Sequence, residues 1–130
     1  MNPKQFLLIG GAVLLVLGLL GYVTGGDVEP YGPLGSTLWL TNGENVAHVV
    51  LGIVAIIAAY VLGASARKWL VILVGLIALY FGVVGFMLDP TSPPALNYQG
   101  LANLELLDNL IHLVVAGWAF WASMKEDAMS

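Results

Sequence analysis

The two histidines of this chain are the residues whose type and spacing could support chemistry. His48 and His112 each stand at the start of an apolar run, four residues after a carboxylate and three residues after an asparagine. These accompanying residues are Glu44, Asn45, Asp108 and Asn109. Imidazole binds haem iron and several transition metals, so two histidines in matched settings indicate a candidate cofactor site.

Ligation of haem b by both histidines is the first hypothesis for this site. His48 and His112 would be the axial ligands if they face each other at the same depth. The carboxylate four residues before each histidine, Glu44 or Asp108, could reach its own imidazole and orient it. Four glycines would lie at the same membrane depth as the histidines and could line a slot for the porphyrin: Gly18, Gly21, Gly82 and Gly85. The same slot could hold another pigment, such as a chlorophyll bound by one histidine.

A metal ion is the second hypothesis for the same residues. The two histidines, His48 and His112, and the two carboxylates, Glu44 and Asp108, could together surround a divalent cation. Their spacing differs from the Glu-x-x-His pattern of di-iron bundles. Because the chain has no cysteine, thiolate ligands and disulfides are excluded.

Structural roles explain these residues without any ligand. Acidic residues and asparagines near a helix start can cap it or interact favourably with its dipole, which suits Glu44, Asn45, Asp108 and Asn109. Each histidine would then hydrogen-bond a loop carbonyl or the other histidine. The sequence contains no recognisable Ser-His-Asp arrangement, so we do not predict an enzyme.

The elements that position these residues follow from composition. The chain is 130 residues long, 59% hydrophobic and only 9% charged, with a mean hydropathy of +0.91, and so small a globule could not bury that much apolar surface. Four continuous apolar runs have about the ~20 residues that a helix needs to cross a bilayer. They cover about 5–23, 45–63, 69–88 and 105–124. We therefore predict an all-α integral membrane protein with four spans in a bacterial-type inner or cell membrane.

The distribution of charge predicts how the spans are oriented. The basic residues flank helix ends on one side: Lys4, Arg67, Lys68 and Lys125. The positive-inside rule then places both termini and a turn at 64–68 in the cytoplasm. Segments 24–44 and 89–104, rich in Gly or Pro, would be long outer loops. Thr41 and Glu44 have the spacing of a capping box that opens the second helix. Between their polar ends the spans contain no charged residue, which argues against a transport pathway.

An internal duplication emerges when the sequence is shifted along itself by 64 residues. The matched pairs are Lys4 with Lys68, Gly11 with Gly75, Gly18 with Gly82, Gly21 with Gly85, Asn45 with Asn109, and His48 with His112. We predict two helical hairpins, 1–64 and 65–130, that run the same way and are related by a pseudo-two-fold axis along the membrane normal. The histidines would then face each other across that axis.

Small residues recur every three or four positions and mark the helix faces that pack together. They include Gly11, Gly18 and Gly21; Gly52, Ala55 and Ala59; Gly75, Ala78, Gly82 and Gly85; and Ala116, Ala119 and Ser123. The predicted product is a four-helix bundle formed by one transmembrane domain, 1–130.

Four segments carry a family resemblance: GGAVLLVLGLLGY, NVAHVVLGIVAI, ARKWLVILVGLIALYFGVVGF and DNLIHLVVAG. With them the chain resembles an uncharacterised bacterial family of small four-span membrane proteins, a domain of unknown function with paired Asn-x-x-His motifs. The resemblance covers roughly residues 5–120. It implies a four-helix membrane protein and no particular activity.

Packing is the function that these observations favour. We expect a small structural or accessory membrane protein that packs within or stabilises a larger membrane complex or oligomer. Its partners would be the lipid bilayer and either other membrane subunits or copies of itself. No basic patch indicates nucleic acid. Haem-dependent electron transfer through His48 and His112 is the first alternative, and metal binding is the second.

Overall fold

The computed structural model describes residues 1–24, 40–89, 98, 104 and 106–125. Regular structure within these ranges consists of α-helices, as predicted. They are α1 (Pro3–Val23), α2 (Asn42–Val61), α3 (Ala64–Met87) and α4 (Leu106–Ser123). All four are long and apolar enough to cross a membrane.

Local capping sets both ends of α1. The backbone N–H of Gln5 donates to Asn2 Oδ1 at 2.9 Å, and the N–H of Asn2 donates to Gln5 Oε1 at 3.1 Å. Pro3 occupies the first turn, where its missing N–H costs nothing. At the other end, the N–H and hydroxyl of Thr24 both donate to the carbonyl of Leu20, at 2.9 and 2.6 Å. These bonds satisfy backbone groups that a helix leaves without partners.

The predicted capping box at the start of α2 is confirmed. The N–H of Glu44 donates to Thr41 Oγ1 at 3.1 Å, and the N–H of Thr41 donates to Glu44 Oε2 at 3.2 Å. The helix consequently begins at Asn42, earlier than the apolar run near residue 45 suggested. The capping box stabilises this first turn, although its residues are polar, so the helix starts before the apolar run.

The predicted turn at 64–68 is wrong, because these residues form the start of α3. The connection between the helices is shorter and consists of residues 62–63. The buried guanidinium of Arg67 donates through Nη1 to the carbonyls of Ala59 at 3.2 Å and Leu62 at 2.7 Å. A basic side chain at this position therefore satisfies the end of α2 from within the next helix.

The helices pair as two hairpins. The most extensive packing joins α1 to α2 and α3 to α4, whereas α1 makes smaller contacts with α3 and α4. The main apolar core lies where α1 and α3 begin and where α2 and α4 end. It contains Phe6, Leu7, Ala58, Ala59, Val71, Ala119 and Ala122. We call this end of the bundle the basic end, because all four basic residues of the chain lie there, and the opposite end the histidine end.

Aromatic contact joins the two hairpins at the basic end. The rings of Phe6 in α1 and Trp118 in α4 lie edge to face with centroids 4.4 Å apart. The indole N–H of Trp118 also donates to the Met1 sulfur at 3.0 Å. Thioether sulfur is a soft acceptor that packs well against aromatic rings. This cluster therefore attaches the start of the chain to its last helix.

Candidate functional site

Glycines in α1 and α3 bring each helix against its hairpin partner with no room for a side chain. A Cβ atom on Gly11 would lie 2.9 Å from the carbonyl oxygen of Gly52, and a Cβ on Gly52 would lie 2.6 Å from that of Gly11. In the second hairpin, a Cβ on Gly75 would lie 2.7 Å from the ring of Phe120. Close backbone approach of this kind lets helices attract each other through packing alone.

The glycines predicted to line a porphyrin slot are used by the same packing. A Cβ on Gly18 would lie 2.7 Å from the carbonyl oxygen of Asn45, and a Cβ on Gly82 would lie 2.6 Å from the side chain of Leu113. Gly21 and Gly85 approach a neighbouring side chain even more closely. All four glycines therefore accommodate the second helix of their own hairpin.

Asparagine side chains fill the space that two of these glycines leave. Asn45 is completely buried, and its Oδ1 lies directly against Gly21. Its Nδ2 donates to the carbonyl of Leu40 at 3.3 Å, just before α2 begins. Among the described residues Oδ1 has no hydrogen-bond partner, so its contact with Gly21 is one of packing.

The second hairpin has the same arrangement at positions 64 residues further on. Asn109 is buried with its Oδ1 against Gly85, and its Nδ2 donates to the carbonyl of Leu104 at 3.5 Å. We call the two pairs, Asn45 with Gly21 and Asn109 with Gly85, the Asn–Gly contacts. Each asparagine thus links the two helices of its hairpin to a residue just before its own helix. This supporting role does not involve the histidines.

The two candidate carboxylates behave differently. Asp108 Oδ2 lies 3.7 Å from His112 Nδ1, one helical turn away, which is within ion-pair range but too long for a hydrogen bond. Glu44 instead uses Oε2 in the α2 capping box with Thr41. The matched sequence settings therefore give unlike carboxylate positions in the two hairpins.

The two histidines lie at the histidine end and are half-buried. In both imidazole rings Nδ1 is buried, and it has no hydrogen-bond partner within the part of the chain that the structure describes. The ring of Phe81 in α3 lies 5.6 Å from that of His112, centroid to centroid, at an interplanar angle of 32°. Because a buried polar atom left unpaired costs free energy, these two nitrogens are candidate binding atoms.

The four candidate metal ligands are not brought together as one cluster. All four are described, and among the described residues no three His, Asp, Glu or Cys side chains converge to hold a metal ion. Two physical reasons account for this. The α2 and α4 helices, which carry His48 and His112, do not form a main packed pair with each other, and the carboxylate of Glu44 takes part in the helix cap.

Sequence inspection missed several residues that support this end of the bundle. Leu40 and Leu104 supply the carbonyls that accept from the asparagines, and their matched positions, 64 residues apart, were the available signal. It also missed that the hydroxyls of Tyr80 and Tyr98 lie 3.3 Å apart. This hydrogen bond raises the pKa of Tyr98 above its usual value of 10.0. The Tyr98 ring also packs edge to face on Phe81, with centroids 5.4 Å apart.

The fold and these contacts define a class: a helical protein whose described residues form four helices long and apolar enough to cross a membrane. Comparison with protein-family models, with curated proteins and with solved structures finds no match to the chain. The resemblance to a family of four-span membrane proteins thus stays a prediction. Function has to be argued from the contacts themselves.

Proposed function

We propose that this chain is an integral membrane protein that spans the bilayer four times and serves as a structural or accessory subunit of a larger membrane complex or oligomer. The observation that carries the proposal is the uncovered apolar surface. Only 22–33% of the most apolar stretch of each helix is buried inside the bundle. The remaining faces expose large apolar side chains, such as Val13, Ile57, Leu76 and Val114, in a quantity typical of contact with lipid or other membrane helices.

The described charged residues lie near the two ends of the bundle, as insertion in a bilayer requires. The basic residues lie at one end of the bundle, and the described acidic residues Glu44, Asp89 and Asp108 lie at or near the other. Charged side chains in the middle of the hydrocarbon would be costly, whereas helix ends reach the headgroups. By the positive-inside rule the basic end faces the cytoplasm, and both termini lie there.

The buried polar side chains support a structural role over a chemical one. Asn45 and Asn109 bond backbone carbonyls and pack on glycines, and Arg67 bonds the end of α2. Each of these groups is used to hold helices together. The agreement between contacts 64 residues apart also favours an origin of the two hairpins by duplication.

Insertion and orientation can be tested directly because the chain has no cysteine. Gly63, with nothing within 4 Å of its Cβ position, marks the basic end, and the exposed Asp89 marks the other. In intact cells, a membrane-impermeant maleimide should label Asp89→Cys, but should label Gly63→Cys only after permeabilisation. Labelling of both positions in intact cells would overturn the proposed topology.

The accessory role is tested by gentle purification. Extraction of the tagged chain from its native membrane in a mild detergent should recover it with a defined set of membrane partners, or as an oligomer of fixed size. A variant with a polar residue on an exposed apolar face, Val114→Gln, should lose that association if this face is the interface, without loss of helix content. Recovery of the wild type solely as a free monomer would contradict the proposal.

Haem ligation is a second candidate, favoured by one observation: each imidazole has a buried nitrogen without a hydrogen-bond partner among the described residues. The closed glycine seams count against it, because the predicted slot is filled by the facing helices. Absorption spectra of oxidised and dithionite-reduced protein from a haem-replete host decide the question. A Soret band that sharpens on reduction and disappears in the His48→Ala, His112→Ala double variant would establish haem binding, and a featureless spectrum would remove this candidate.

A further inference from the structure

The rim of the bundle at the basic end combines lysines with exposed aromatic rings. The ammonium of Lys4 lies 5.3 Å from the ring centroid of Tyr60, and that of Lys125 lies 5.8 Å from that of Trp121. Between these two pairs in sequence, the exposed Lys68 is followed by the exposed Trp69. We call these six residues the lysine–aromatic rim: Lys4, Tyr60, Lys68, Trp69, Trp121 and Lys125.

The lysines of the rim differ in their surroundings from Arg67, the remaining basic residue. Arg67 is buried and bonds the carbonyls of Ala59 and Leu62, so its charge serves the fold. Lys68 and Lys125 are exposed, and the residues Trp69 and Trp121 are 64% and 46% exposed. The rim therefore presents cationic and aromatic groups outward, around the bundle.

This combination matches one chemical environment. Amphipathic Trp and Tyr rings favour the boundary between hydrocarbon and headgroups. A lysine beside such a ring places its ammonium among the headgroups, where it attracts phosphate as a point charge. Strongly exposed apolar side chains, Val61 and Met124, lie in the same region and suit acyl chains.

We propose that the lysine–aromatic rim binds the headgroups of anionic phospholipids and retains these lipids around the basic end. The inference rests on the proposed membrane insertion. An anionic phospholipid carries a negative headgroup and apolar chains in one molecule, so it complements both the lysines and the apolar surface next to them. All four basic residues of the chain lie at this end, so attraction of anionic lipid is concentrated in one leaflet.

The test uses tryptophan quenching in reconstituted vesicles. In a Trp39→Phe background, Trp69 and Trp121 at the rim and Trp118 inside the bundle remain as the fluorophores. Brominated phosphatidylglycerol is expected to quench the fluorescence more strongly than brominated phosphatidylcholine at equal membrane fraction. In the Lys68→Gln, Lys125→Gln variant, the affinity for phosphatidylglycerol relative to phosphatidylcholine should fall about fivefold or more. The Lys68→Arg, Lys125→Arg control keeps both charges and should show the same relative affinity as the parent.

The outcomes separate the two proposals. Equal quenching by both lipids, or a preference for phosphatidylglycerol that survives the double glutamine variant, would overturn lipid binding at the rim while leaving membrane insertion intact. Absence of quenching by either lipid would instead overturn membrane insertion. If the protein in neutral vesicles binds a fluorescent polyglutamate peptide while showing no lipid preference, the rim belongs to an acidic protein partner and the lipid proposal fails.

Discussion

Gly21 lies directly against the side-chain amide of Asn45, so that no room remains for a Cβ atom at this glycine. The same amide donates to the carbonyl of Leu40, and it therefore joins α1, α2 and the segment that leads into α2. Gly85, Asn109 and Leu104 repeat this arrangement in the second hairpin. In each hairpin, one buried asparagine thus holds the histidine end together.

Replacement of Gly21 by alanine should destabilise the bundle, because the new methyl group overlaps the Asn45 amide and the helices must separate. We expect a loss of about 1–3 kcal/mol in the free energy of unfolding, typical of overpacking. Gly117→Ala is the matched control in α4, since nothing lies within 4 Å of its Cβ position. Better helix propensity should leave the control unchanged or raise its stability by up to about 1 kcal/mol. Thermal unfolding in detergent, followed by circular dichroism, compares the two, and equal effects would contradict this account.

A double-mutant cycle should show that Gly21 and Asn45 act on each other. Asn45→Ala alone removes the bond to the Leu40 carbonyl and should cost about 1–2 kcal/mol. In that background Gly21→Ala should be less harmful than in the wild type, because the amide that it would strike is gone. We expect a coupling free energy of about 0.5–3 kcal/mol. Additive effects of the two substitutions on unfolding would show that the contact has no energetic weight.

Removal of the Arg67 guanidinium should loosen the connection between α2 and α3. Arg67→Met keeps the apolar stem but leaves the carbonyls of Ala59 and Leu62 without this donor, and should cost about 1–3 kcal/mol. Lys68→Met, next to it but exposed, should change stability by no more than about 0.5 kcal/mol. Chemical unfolding of the purified variants distinguishes them. A similar loss in both would mean that only net charge at this end matters.

The Tyr80–Tyr98 contact predicts a pH dependence. The hydrogen bond favours the neutral form of Tyr98 and raises its pKa above 10.0, so its stabilising effect is present at lower pH and is lost as pH rises through that pKa. In Tyr80→Phe, Tyr98 should ionise at lower pH than in the wild type. NMR of protein with ¹³Cζ-labelled tyrosine, assigned with Tyr98→Phe, follows this residue directly. An unchanged titration of Tyr98 would show that the two hydroxyls do not bond.

Local features were predictable because they depend on residues a few positions apart. The capping box between Thr41 and Glu44 requires only the spacing of one helical turn, and it is present. The start of α3 was misplaced because an apolar run marks the hydrophobic part of a helix and not its backbone limits. Arg67 satisfies the preceding helix from inside the next one, which composition alone does not reveal.

The candidate site was harder to predict, since one side chain often has two possible partners within reach. Glu44 stands one turn from both Thr41 and His48, and it takes part in the cap. Asp108, in the equivalent position, lies 3.7 Å from His112. Identical spacing in the sequence therefore led to different contacts, because the partner depends on rotamers and on the helices packed nearby.

The sequence by itself determined that the chain forms four apolar helices and that small residues and asparagines recur on matched faces, because hydrophobic runs and helical spacing are local properties. Only the tertiary structure decided what those faces meet. It placed Gly18, Gly21, Gly82 and Gly85 against their own hairpin partners, although the sequence also allowed a slot for a cofactor as an alternative. The physical reason is that these contacts join residues far apart in the chain, so that they exist only once each helix has a partner and the two backbones have closed on each other.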